Sequence, residues 1–372
     1  MTARTLGLRT LLLALAGLAA VLALGACGGD DDDDDGGSES GGGGTIGFLL
    51  PETQTARYES QDKPLFEAKV SELCPDCEIF YQNADQDPTK QQQQVEAAVT
   101  EGVDVLVLDP VDSTAAAGLV ERAKQSDIPV VSYDRLILDA DLDYYAEFNS
   151  SEVGTQQGEA LAKKLAEDGN PKGPIIQING DPKDNNAKLF KEGATAVFED
   201  KGIEVAEEYD TADWLPENAQ REMEQAITAV GKGGFAGVLA ANDGTAGGAI
   251  AALKGAGIDP KSIPVTGQDA ELAGIQRIID GEQYMTVYKP IKPLADSAAE
   301  IAVALVNGED VPEGVINGEE DNGMEQVPSA ITDTIPVFVD NINDTIIKDD
   351  YWSVDEICTQ QYAQACKDAG IQ

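Results

Sequence analysis

Short apolar runs alternate with stretches of helical period along most of this chain, and that order predicts an α/β fold with parallel sheets covered on both faces. Two further observations support it. The stretch from Thr45 to Gln372 is long enough for two domains. Runs such as Val103–Leu108 and Pro129–Tyr133 are nearly continuous in apolar residues, as strands buried on both faces are.

In chain order, the first element is a targeting segment. Arg4 and Arg9 precede an apolar run from Leu11, no acid occurs before Asp30, and small residues lead to Cys27. This predicts a secretory signal over residues 1–26. Leu24, Gly25, Ala26 and Cys27 resemble a lipobox, which would make Cys27 the lipidated first residue of the mature chain. Residues 27–44 follow with six aspartates, Asp30 to Asp35, among glycine and serine and no apolar side chain after Cys27. Such a segment has nothing to bury, so a flexible, self-repelling leash is expected.

From Thr45 the predicted strands are Thr45–Pro51, Glu78–Ala84, Val103–Pro110, Pro129–Arg135, Tyr144–Asn149, Pro174–Gly180, Ile203–Asp210, Gly237–Asp243, Pro264–Asp269 and Tyr284–Lys289. Helices are expected between them. In Pro216–Val230, Ala219, Met223, Ala226, Ile227 and Val230 share one face; in Leu272–Asp280, Leu272, Ile275, Ile278 and Ile279 do.

Composition narrows the function. Removing residues 1–26 deletes two arginines and no acid, so 25 bases become 23 against 68 acids, a net charge of −45. Nucleic acid, whose phosphates need a basic surface, is not an expected partner. The absence of histidine removes Ser-His-Asp and Cys-His catalysis and the common zinc-hydrolase motifs, so an enzyme is not expected. Cys74 and Cys77 form a CxxC just past a helical stretch, and Cys358 and Cys366 lie near the end. Outside the cell two local disulfides, Cys74–Cys77 and Cys358–Cys366, are expected. A zinc site built from both pairs is the alternative; no metal or cofactor is otherwise expected.

In doubly wound sheets ligands collect at the carboxyl ends of strands. The polar residues there are Asp109, Asp134, Arg135, Asn149, Asp181 to Asn186, Asp213, Trp214, Asn242, Asp243, Gln268, Asp269 and Lys289. No glycine-rich phosphate loop accompanies them. Carboxylates, amides and a guanidinium around an indole suit a sugar, whose hydroxyls donate and accept and whose C–H face packs on a ring. Asp184 and Asn242 also stand where helix caps are expected.

The same blocks carry a resemblance. Tyr133–Arg135, Asp184–Phe190, Trp214–Ala219, Asn242–Ile250, Gly267–Ala270 and Met285–Pro290 resemble the D-xylose receptors among the periplasmic sugar-binding proteins of the ribose/galactose-binding class. The resemblance covers about residues 45–348. It implies a type I periplasmic binding protein: two doubly wound lobes joined by three crossing strands, a sugar between them, and delivery to the permease of an ABC importer. It implies sugar contacts from Arg57, Asp134, Arg135, Asp184, Asn186, Asn242, Asp269 and Lys289, with Trp214 stacking. Tyr58 stands where the family has tryptophan, and the stretch from there to Phe66 is one residue longer. The implied lobes are 45–150 with 290–328, and 151–289 with 329–348, with crossings near 149–151, 288–290 and 328–331. Residues 349–372 match nothing in the pattern. The expectation is a monomeric, lipid-anchored, extracytoplasmic receptor for D-xylose. The alternatives are a broader aldose receptor for glucose, galactose or arabinose, serving transport or chemotaxis, or a sugar-modifying enzyme.

Overall fold

The structure is a computed structural model, and it describes residues 43–371. The signal segment, Cys27 and the leash as far as residue 42 lie outside the described residues.

The first sheet has seven strands. β1 (Thr45–Leu50), β2 (Glu78–Asn83), β3 (Val105–Leu108), β4 (Val130–Tyr133) and β5 (Tyr144–Phe148) run parallel in the order β2-β1-β3-β4-β5. The second sheet is built from β6 (Ile175–Asn179), β7 (Val205–Asp210) and β8 (Gly237–Ala240), parallel in the order β7-β6-β8. β9 (Thr286–Tyr288) leads toward β10 (Gly318–Asp321) and β11 (Gln326–Thr332), which extend the first sheet beside β5. β12 (Ile335–Val337) returns to pair antiparallel with β9. In each sheet the strand order reverses direction at the first strand, which creates a crevice at the carboxyl ends.

Nine of the ten predicted strands form. The tenth, Pro264–Asp269, makes only a single bridge, Val265 to Val238, so it flanks the second sheet without extending it as a strand. β11 stays with the first sheet through Thr332, past Pro328. The helices Pro216–Val230 and Leu272–Asp280 form as expected, with Ala219, Met223, Ala226 and Ile227 buried on the one and Ile275, Ile278 and Ile279 on the other.

The core lies on both faces of the first sheet. Ile46, Phe48, Leu50, Val105 and Val107 pack toward the helix Ile291–Asn307, while Leu49, Leu106, Leu108 and Val130 face the other side. Because alternate residues of one strand enter different cores, these strands carry no polar face, which is the pattern read from the sequence. Residues 349–371 join the first of these cores through Tyr351, Ile357, Cys366 and Ile371. Both expected disulfides are closed, Cys74–Cys77 and Cys358–Cys366. Among the described residues no helix is long and apolar enough to cross a membrane, and no cluster could hold a metal ion.

Candidate functional site

All ten residues expected to touch or stack on a sugar line one tightly closed cavity, and each is at most 5% exposed; the other strand-end candidates Asp109, Asn149, Asp181, Asp213 and Asp243 do not line it. The first wall comes from the carboxyl ends of the seven-stranded sheet. After β1 the chain enters a single π turn, Tyr58–Asp62. A π turn takes in one more residue than an α turn, which matches the extra residue found before Phe66. It brings Asp62 back under Arg57, whose Nε and Nη2 donate to both carboxylate oxygens at 2.9 and 2.8 Å. Tyr133 donates to the same carboxylate at 2.6 Å.

Arg57 reaches onward, donating from Nη1 to Asp134 Oδ1 at 3.2 Å, and the Tyr58 hydroxyl donates to Asp134 Oδ2 at 3.0 Å. Burial would push the Asp134 carboxyl up, but Arg57, Lys289 and Arg135 together hold it below the usual carboxylate range. Arg135 lies among carboxylates: its Nε is 3.1 Å from Asp184 and 3.6 Å from Asp109, and its Nη2 donates to the Tyr58 hydroxyl at 3.3 Å. Burial raises the Asp109 carboxyl well above its ordinary value, against the pull of Arg135.

The second wall is built from backbone devices. Asp184 caps the helix Asn185–Lys201, accepting from the Asn186 amide, and also accepts from the Trp214 indole at 3.2 Å. Asn242 caps Asp243–Gly255 in a reciprocal box with Thr245. The capping and lining roles therefore coincide at both residues. Trp214 has φ of +54° and its ring lies directly on Gly180, where any Cβ would fall 2.0 Å from the indole. Asp269 has φ of +89°, with Ala270 at +50° beside it. Asp134, at +53°, shares this conformation. Left-handed non-glycine residues are rare and gather at ligand clamps.

Lys289, next to β9, sits between the walls, 3.0 Å from Asp269 Oδ1 and 3.9 Å from Asp134 Oδ1. The amide of Asn186 donates across the cavity to the Asp134 carbonyl at 2.8 Å. Its other side-chain atom, Oδ1, is buried with no hydrogen-bond partner, as is Gln268 Oε1. Both are acceptors suited to a hydroxyl donor.

Three further residues line the cavity: Thr55, Phe190 and Gln268. Phe190 meets Trp214 edge-on at 6.5 Å between centroids. Its spacing of four from Asn186 puts the two on one helix face, a signal available in the sequence. Gln268 precedes Asp269 at a strand-end position already noted there. Asp62 carried no signal, because its role depends on the π turn.

A two-lobed crevice with strand ends converging on buried polar groups defines a ligand-binding receptor by its geometry. Residues 46–310 match the family model of the periplasmic binding protein domain, and the chain belongs to that family. It is 41% identical to the D-xylose-binding periplasmic protein of Escherichia coli K12 over 316 residues, covering 84% of this chain and 92% of the other. It is 31% identical to a multiple sugar-binding periplasmic receptor of Rhizobium radiobacter, covering 84% and 92%. Among solved structures it resembles an ABC transporter solute-binding protein of Clostridium phytofermentans with bound β-D-glucose, at 30% identity and a TM-score of 0.76, covering 84% and 99%.

Proposed function

We propose that this chain is an extracytoplasmic lipoprotein that captures a monosaccharide, D-xylose in the first place, and delivers it to an ABC importer. The observation that carries the reading is the cavity itself. Ten buried side chains from both walls face it, and they offer carboxylates, amides, cations and rings in the mixture that sugar hydroxyls and C–H faces require.

In this reading Arg57, Tyr58, Asp134 and Arg135 contact the sugar from the first lobe, and Asp184, Asn186, Trp214, Asn242 and Asp269 from the second. Lys289 acts at the hinge. The first lobe comprises 45–150 and 290–328, with β11 adding residues to Thr332; the second comprises 151–289 and the remainder to 348. A sugar touching both walls stabilises the closed form, and the closed form is what the permease recognises. Cys27 carries the lipid anchor, and the receptor works as a monomer without cofactor or catalysis.

A panel of aldoses in a thermal-shift assay tests this, since a ligand that binds only the native state raises its melting temperature. D-xylose should give a larger shift than D-ribose or any disaccharide. A larger shift with glucose, galactose or arabinose would replace D-xylose while keeping an aldose receptor, the reading favoured by the likeness to multiple-sugar and glucose-bound proteins. Turnover of a sugar by the purified protein would overturn the receptor reading.

A further inference from the structure

The loop that carries Asp269 is held from a segment 82 residues further along the chain, past residue 310 where the family model ends. Asp269 and Ala270 are consecutive non-glycine residues at φ of +89° and +50°. Such backbone persists only where its surroundings over-determine it. On the amide side the restraints are local to the second lobe. The Asp269 amide donates to the Val287 carbonyl at 2.9 Å, the Ala270 amide to Thr286 Oγ1 at 3.2 Å, and the Glu271 amide to Asp243 Oδ2 at 2.9 Å.

The carbonyl side is different. The Asp269 carbonyl accepts from the Tyr351 hydroxyl at 3.2 Å, and the Ala270 carbonyl accepts from Trp352 Nε1 at 2.8 Å. Both donors lie in the C-terminal extension, past the residues 46–310 that match the family model.

The extension is itself anchored. The Tyr351 ring packs against Tyr288 at 4.9 Å, beside Lys289, and its carbonyl accepts from Gln61 Nε2 at 3.4 Å, in the π turn of the first wall. Ser353 caps the short helix Val354–Ile357, and Gln276 donates to the Glu356 carbonyl at 3.2 Å. The Cys358–Cys366 disulfide then closes the segment, with Ile357, Cys366 and Ile371 buried in the core that includes Ile275 and Ile278.

We propose that Tyr351 and Trp352 are positioning residues that hold the Asp269 loop in its sugar-binding conformation, so the C-terminal extension is a working part of the site. This rests on the reading of Asp269 as a sugar contact. Lys289 orients the Asp269 carboxylate, and the two aromatic donors fix the backbone from which that carboxylate projects. The disulfide keeps the donors in place by closing the chain behind them.

Tyr351→Phe and Trp352→Phe test the proposal, because each removes a donor and keeps a ring. D-xylose and D-glucose are titrated calorimetrically into the full-length mature chain and its variants. Each substitution should weaken binding about threefold to tenfold, the range for one net hydrogen bond. The same substitutions made in an Asp269→Asn background should have little further effect, since they act through Asp269. Equal losses in both backgrounds would make Tyr351 and Trp352 general structural supports and overturn the proposal, as would wild-type affinity in the Phe variants. Should Asp269→Asn alone bind like the parent, or the parent bind neither sugar, the reading of the site itself fails. Cys358→Ser with Cys366→Ser gives an independent arm. It should weaken binding, while Cys74→Ser with Cys77→Ser should not; equal affinity in both pairs would count against the extension.

Discussion

The two walls of the cavity reach the same end by different means. On the first wall the side chains hold one another: Arg57 is bound to Asp62 and Asp134, Tyr58 to Asp134, and Arg135 to Tyr58. On the second wall the backbone does more of the holding, through helix caps at Asp184 and Asn242 and left-handed residues at Trp214 and Asp269, with the Trp214–Asp184 and Lys289–Asp269 contacts added to it. A charge network is coupled, so losing one member exposes the rest. Helix caps are local, so a change at Asp184 or Asn242 should disturb less of the wall than the loss of one charge does on the other. The contrast teaches that one polar cavity can combine a wall sensitive to charge with a wall sensitive to shape.

The largest effect should come from breaking the charge network. Arg57→Met leaves Asp62 and Asp134 buried without their main cation. Removing one partner of a buried pair typically costs about 3–5 kcal/mol. Urea denaturation of the sugar-free variant should show a loss of that order, together with loss of sugar binding. A loss below about 1 kcal/mol would mean that the network is open to water in the sugar-free protein and that the first wall is not held by its charges.

Shape should dominate on the other wall. In Gly180→Ala the new Cβ would lie 2.0 Å from the Trp214 ring, so the indole must move. Overpacking of this kind costs about 1–3 kcal/mol, less than the Arg57 change. Affinity should nevertheless fall about tenfold or more, because a stacking ring contributes on the order of 1 kcal/mol beyond its area and its displacement also disturbs the indole bond to Asp184. Calorimetry with D-xylose reads the affinity and tryptophan fluorescence the ring position. A variant that binds normally would show that Trp214 is packing and not a sugar platform.

The two walls also differed in how far they could be read from sequence. Caps and strand ends are local features, and Asp184, Asn242 and Asp269 stand where local rules place ligand-facing groups. Asp62, Tyr351 and Trp352 act through contacts that no local rule contains: a π turn for the first, a separation of 82 residues for the others. The same limit explains the fold. Central strands are apolar runs and were legible. Gly318–Asp321 is acidic and half-exposed at a sheet edge, and Gln326–Thr332 contains Pro328, which argues against a strand by itself. Pro264–Asp269 has the composition of a strand but only one bridging partner, and pairing is a property of the neighbour as much as of the segment.

The smallest effect, and the finest test of the contrast, is in the response to pH. Behind the first wall, burial and the neighbouring Glu320 push the Glu147 carboxyl up to about 9. Behind the second, burial raises Asp243 to about 7, and burial with the charges of Asp243 and Asp269 raises Glu271 to about 8. A carboxyl raised in the folded state binds a proton that the unfolded chain has already released. Its contribution is therefore complete below the unfolded value near 4.5 and is lost as pH rises toward the folded value. Sugar-free stability should fall between pH 6 and pH 8, by on the order of 1 kcal/mol for each group after allowance for partial exposure at Glu271. Glu147→Gln and Glu271→Gln should each flatten part of that slope. The walls separate in the sugar titration. The Glu271 carboxylate acts by charge on Asp243 and Asp269, and Glu271→Gln removes that charge, so it should also flatten the pH dependence of affinity. Glu147 lies on β5, and Asp134, the wall residue it influences, stays ionised over this whole range. Glu147→Gln should therefore change stability and leave the affinity profile alone. An affinity profile altered equally by both substitutions would mean that the walls respond as one unit and would erase the distinction between them.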